Sequence, residues 1–123
     1  MIEVEIKVQI SDPTLIRKKF VEKQGSYKFS LIHEDTYFNM PKGLRDFKQT
    51  DEALRLRKSS RFTRNNRDKI QQLEYFYTYK GRKLDILTKT RNEIEIKLDN
   101  IEKMKEILDL LGFREVITIK KER

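Results

Sequence analysis

The feature that most constrains this chain is strict alternation. Ile2, Val4, Ile6, Val8 and Ile10 alternate with Glu3, Glu5, Lys7 and Gln9, which predicts a strand over residues 1–10 with one apolar and one charged face. Leu54 and Leu56 alternate with Arg55 and Arg57 in a short strand, Ala53–Lys58. Arg91–Leu98 repeats the pattern, with Arg91, Glu93, Glu95 and Lys97 set against Ile94, Ile96 and Leu98. Strands of this kind belong to an antiparallel sheet with one packed face.

Between them the chain is punctuated clearly. Asp12-Pro13 reads as an N-cap and first helical residue. Leu15, Ile16 and Phe20 give that helix an apolar side, and Gly25 is its expected stop. A strand is expected over Tyr27–Phe38, a loop over 39–52, and a mobile basic connection over 59–71. Leu73–Lys80 reads as an aromatic strand ended by Gly81, and residues 82–90 as a connection or short strand. A second helix runs from about Asn100 to Leu111, with Asp99 and Glu102 as a capping box and Gly112 as its stop. Val116–Lys121 is the last strand. The order of elements predicts an α+β fold dominated by antiparallel sheet, and 123 residues fit one domain spanning 1–123.

Composition narrows the chemistry. With no cysteine and one histidine, His33, thiolate sites, disulfide scaffolds and histidine-dependent triads drop out. Any metal here takes carboxylate ligands, which favours Mg²⁺ or Mn²⁺. The absence of a signal-like start, of a membrane-length apolar run and of cysteine fits a cytoplasmic protein without a membrane partner. Lys plus Arg is 28 against 20 Asp plus Glu, and the net charge of +8 points to an anionic partner or to a lysine-rich solvated face.

In a strand, residues i, i+2 and i+4 share a face at steps of about 6.5–7 Å. Glu3 and Glu5 so placed suit hard divalent cations, and Lys7 next in the row suits a metal-bound phosphate. Arg55 and Arg57 suit a polyanion, because guanidinium forks grip phosphate oxygens in pairs. Thr78-Tyr79-Lys80-Gly81, Arg91-x-Glu93-x-Glu95 and the terminal Lys121-Glu122-Arg123 add further charge. Two arrangements satisfy the pattern. In one the charged faces are simply solvated. In the other the sheet curls and they line a cavity for a metal-bound polyphosphate. Tyr37, Tyr75, Tyr77 and Tyr79 read as packing residues rather than base-stacking ones. Arg61, Arg64, Arg67 and Lys69 read as a solvated loop in preference to a lid.

In order along the chain, Glu3-x-Glu5-x-Lys7, Asp35-Thr36-Tyr37-Phe38, Ala53-Leu54-Arg55-Leu56-Arg57, Thr78-Tyr79-Lys80-Gly81, Arg91-Asn92-Glu93-Ile94-Glu95, the helix ending Leu111-Gly112-Phe113, and Lys121-x-Arg123 resemble the CYTH superfamily. That superfamily groups class IV (CyaB-type) adenylate cyclases with thiamine triphosphatases and related inorganic triphosphatases. The resemblance implies a triphosphate tunnel, an antiparallel barrel of about eight strands with flanking helices. It implies that Glu3, Glu5, Glu93 and Glu95 bind Mg²⁺ or Mn²⁺. Arg55, Arg57, Lys80, Arg91, Lys121 and Arg123 would bind phosphates, with Lys7 as the catalytic residue beside them. The implied activity is hydrolysis or cyclisation of tripolyphosphate, thiamine triphosphate or ATP. The chain corresponds to the N-terminal two-thirds of the usual family length, so the tunnel is expected to be incomplete or completed by a second chain as a homodimer. The alternative is a non-catalytic domain whose basic face binds polyphosphate or RNA.

Overall fold

The computed structural model describes residues 9–25, 29–63, 69–85, 87–88 and 90–123. Of the alternating strand expected over residues 1–10, residues 1–8, with Glu3, Glu5 and Lys7, lie outside the described residues, and Gln9 and Ile10 are not in a strand; Tyr27, Arg64 and Arg67 also lie outside the described residues. The elements are α1 (Pro13–Glu22), β1 (Ser30–Asn39), α2 (Phe47–Thr50), β2 (Ala53–Phe62), β3 (Gln72–Lys83), β4 (Arg91–Leu98), α3 (Ile101–Leu110) and β5 (Arg114–Glu122).

The five strands form one sheet in the order β4-β3-β2-β1-β5, antiparallel at every junction. The α+β antiparallel expectation holds. Among the described residues the sheet is open, with β4 and β5 as its edges, in keeping with the expectation of an incomplete tunnel. β4 and β5 lie at opposite edges, and α3 connects them. Asn100 caps α3 by accepting from Lys103 N at 3.0 Å, in place of the expected Asp99–Glu102 box. Its buried Ile101 and Leu108, with half-buried Met104, pack on Phe38, Phe47, Leu54 and Leu56. Leu56 is wholly buried. Tyr75, Tyr77, Tyr79 and Leu98 extend this face, as their alternation requires. Three of the four tyrosines therefore pack against the core. The fourth, Tyr37, stands opposite Arg55 on the other face.

Several boundaries move for physical reasons. Ser59–Phe62 continue β2 rather than starting a mobile connection: Ser59 and Ser60 are buried and pair with His33 and Ile32. Small hydroxyl side chains fit a covered strand without supplying the aliphatic signal that marks one. The loop expected over 39–52 contains α2, where Asp46 accepts from Lys48 N at 3.0 Å and Phe47 is buried. Gly81 lies inside β3 rather than ending it. At the end of α1 the left-handed residue is Gln24, at φ 67°. Gly25 is needed for proximity instead, since a Cβ there would stand 2.7 Å from the Phe20 carbonyl oxygen. Among the described residues no helix is long and apolar enough to cross a membrane.

Candidate functional site

With Leu54 and Leu56 committed to the core, alternation turns Arg55 and Arg57 to the opposite face of β2. The register then decides what each arginine meets. Asp35 on β1 stands directly opposite Arg57. Arg57 Nε donates to Asp35 Oδ1 at 2.7 Å and Nη2 to Oδ2 at 2.8 Å, a two-pronged contact. Asp35 is fully buried, and Lys121 Nζ on β5 lies 3.9 Å from its Oδ2. Burial pushes the Asp35 carboxyl up. The hydrogen bonds and charge of Arg57, with the charges of Arg55 and Lys121, outweigh burial and hold it below its ordinary value.

One row along, Tyr37, Arg55, Thr78 and Glu95 stand opposite one another on β1 to β4. Thr78 Oγ1 accepts from Arg55 Nη2 at 3.3 Å and donates to Glu95 Oε1 at 3.0 Å, and Arg55 Nη2 lies 3.6 Å from Glu95 Oε1. Arg55 is 6% exposed, yet its Nε is buried with no hydrogen-bond partner among the described residues. An unmatched donor of this kind costs stability and is a place where an incoming anionic oxygen gains most. In the next row Lys80 Nζ lies 3.9 Å from Glu93 Oε1. Beyond it the register moves from Lys80–Glu93 to Lys83–Arg91, so β3 bulges around Gly81 and Arg82. Arg91 there binds Asp51, Nη2 to Oδ1 at 3.2 Å. Asp51 Oδ2 also accepts from Lys83 N at 3.0 Å.

At the other end of the face, His33 stands opposite Ser59 and Lys121. It is 7% exposed, and its Nδ1 has no hydrogen-bond partner among the described residues. Burial, then the charge of Arg57, pulls its pKa down to about 4, with smaller contributions from Arg123 and Arg55 and against the pull of Asp35. Arg123, just past the end of β5, pairs through its backbone with Leu31, one row beyond Lys121 and His33. Arg61, farther along β2, lies over the Phe29 ring at 4.2 Å.

The start of β2 is braced from the core side. Glu52 accepts from Arg45 Nε at 2.8 Å, Arg45 Nη2 at 3.2 Å and Tyr79 Oη at 2.5 Å. These bonds, with one from Thr50, hold the Glu52 pKa down at about 2. The brace fixes the strand that carries Arg55 and Arg57.

The structure thus brings Arg55, Arg57, Lys80, Glu93, Glu95 and Lys121 onto one face, with Arg123 toward its His33 end and Arg91 at its Asp51 end. It also supplies partners that alternation alone does not name: Asp35, Thr78 and Asp51. Strand patterns give the face of a residue, but only the register gives its opposite number.

Among the described residues no three His, Asp or Glu side chains converge as a metal cage. Asp35 is committed to Arg57. Glu93 and Glu95, two apart on one face of β4, have side chains 48% and 45% exposed, and their cationic neighbours stand off at 3.9 and 3.6 Å. As a pair of hard oxygen donors they fit half of a Mg²⁺ or Mn²⁺ site.

Comparison with known proteins identifies the family. The CYTH domain matches residues 1–123. A Methanocaldococcus jannaschii protein named "Putative adenylate cyclase MJ0240" is 44% identical over 128 aligned positions, covering 100% of this chain and 62% of that protein. The solved structure of PH1819 protein from Pyrococcus horikoshii OT3 superposes with a TM-score of 0.69 at 39% identity, over 86% of this chain and 55% of that one. PH1012 protein from the same organism gives a TM-score of 0.59 at 25% identity, over 92% and 57%. The chain therefore spans about three fifths of the length of these relatives. By the match along its whole length, the chain belongs to the CYTH domain family.

Proposed function

We propose that the charged face binds a triphosphate together with Mg²⁺ or Mn²⁺ and that the protein hydrolyses or cyclises it, with tripolyphosphate, thiamine triphosphate or ATP as the substrate class. The observation that carries this reading is the buried Arg55, whose Nε has no hydrogen-bond partner among the described residues, in a field of Arg57, Lys80 and Lys121 interleaved with carboxylates. Arg55 and Arg57 grip phosphate oxygens, and Asp35 holds the Arg57 fork in place for them. Lys80, Lys121 and Arg123 extend the row, and Arg91 marks its Asp51 end. Glu93 and Glu95, with Glu3 and Glu5 of the signature, are the proposed metal ligands, and Lys7 the proposed catalytic group. The metal, when bound, neutralises charge that develops on the phosphoryl oxygens. The chain's own contribution is electrostatic: cations fixed before substrate arrives stabilise that charge while water or a ribose hydroxyl attacks.

The net charge of +8 carries a second reading, a basic face that binds polyphosphate or RNA without catalysis. Calorimetric titration with tripolyphosphate separates the two. The metal-bound site predicts affinity that rises when Mg²⁺ is added, a gain lost in the Glu93→Gln, Glu95→Gln double variant. Affinity that falls on adding Mg²⁺, as counterion competition demands, contradicts the proposal.

A further inference from the structure

We propose that His33 is a phosphate-contacting residue at the β5 end of the charged face, and that it takes up a proton when the polyanion binds. This rests on the proposed function. His33 shares its face of β1 with Asp35, and cross-strand pairing sets it beside Ser59 on β2 and Lys121 on β5. Arg57 and Arg61 flank Ser59 on the same side of β2, and Arg123 lies just past the end of β5. His33 therefore sits inside a row of cations that runs from Arg55 and Arg57 to Arg61 and Arg123. It is more than nine-tenths buried, and Nδ1 finds no partner among the described residues. A buried ring nitrogen left unmatched inside a cationic cluster is costly unless a ligand supplies the partner.

The electrostatics give the sign. Without a ligand, burial and the charges of Arg57, Arg123 and Arg55 favour the neutral ring, and the charge of Asp35 opposes them. A bound phosphate chain adds several negative charges to the same cluster. It accepts a hydrogen bond from the imidazole and reverses the field on it. The protonated form then gains, so proton uptake accompanies binding. By reciprocity, the affinity contribution of His33 grows as pH falls from the bound pKa toward the free one. A histidine packed away from the bound phosphates sees only a weaker, through-space part of this.

His33 is the chain's only histidine, so its ring gives one resonance pair in a labelled sample. A pH titration of that signal, with and without tripolyphosphate and Mg²⁺, reads the proposal. The expected result is a midpoint raised by about one unit or more in the bound state. In calorimetry the wild type then gains affinity on acidification relative to His33→Gln, a comparison that cancels the ligand's own protonation. Tripolyphosphate binding with an unmoved His33 titration overturns this inference and leaves the proposed function standing. Failure of tripolyphosphate to bind at all overturns both. The wild-type titration decides even where His33→Gln fails to fold.

Discussion

Arg57→Met is expected to destabilise the fold by about 3–5 kcal/mol, because it strands a buried carboxylate. Asp35 has no solvent exposure, and its two oxygens are held by Arg57 at 2.7 and 2.8 Å. Lys121, at 3.9 Å and on an edge strand, is too distant to take over both contacts. Thermal unfolding should show a melting temperature lower by roughly 10 °C or more. The pH dependence distinguishes this cause from lost packing. In the wild type the Asp35 carboxyl is held below its unfolded value, so its stabilising contribution is present at neutral pH and disappears as pH falls through the folded pKa. In the variant the pairing is gone and burial dominates, so Asp35 titrates upward and folds more easily when protonated. The gap between wild type and variant should therefore narrow on acidification. Adding Asp35→Leu to Arg57→Met removes the stranded charge and should recover most of the loss. A gap that stays constant with pH, or a double variant no better than the single, contradicts the account.

The second large effect concerns chemistry. Arg55→Ala is expected to lower turnover of the preferred triphosphate by about 100- to 1000-fold, the cost of removing one preorganised donor to developing phosphoryl charge. The fold should tolerate it, because Thr78 keeps its bond to Glu95 and the Glu95 side chain is 45% exposed. Arg55→Lys should restore only part of the rate: an ammonium keeps the charge but lacks the planar fork. Comparison of kcat/KM for the three proteins checks this, and equal rates for wild type and Arg55→Ala would contradict it.

Much of this site is legible in one dimension. Alternation in Ala53–Lys58 and Arg91–Leu98 identifies which charges share a face with which, and the structure keeps those assignments. The Tyr-rich strand likewise shows its packing role, because Tyr75, Tyr77 and Tyr79 repeat at the sheet period. Other features are invisible for definite reasons. The pairing of Asp35 with Arg57 depends on register, a property of two strands that neither carries alone. The extension of β2 through Ser59 and Ser60 depends on burial, which small hydroxyl residues do not advertise. The bulge between Lys80 and Lys83 takes Arg91 to Asp51, and the α2 turn that positions Asp51 is only four residues long. The closed tunnel implied by family resemblance involves more than the described sheet, which is open at β4 and β5.

The charged face of this sheet is proposed to handle a metal-bound triphosphate. The direct measurement is phosphate release and cyclic nucleotide formation from tripolyphosphate, thiamine triphosphate and ATP with Mg²⁺ or Mn²⁺, run beside Arg55→Ala. Turnover of at least one of them is expected, requiring the metal and collapsing in the variant. No product from any of the three with either metal, or product formation that ignores Arg55, would contradict it.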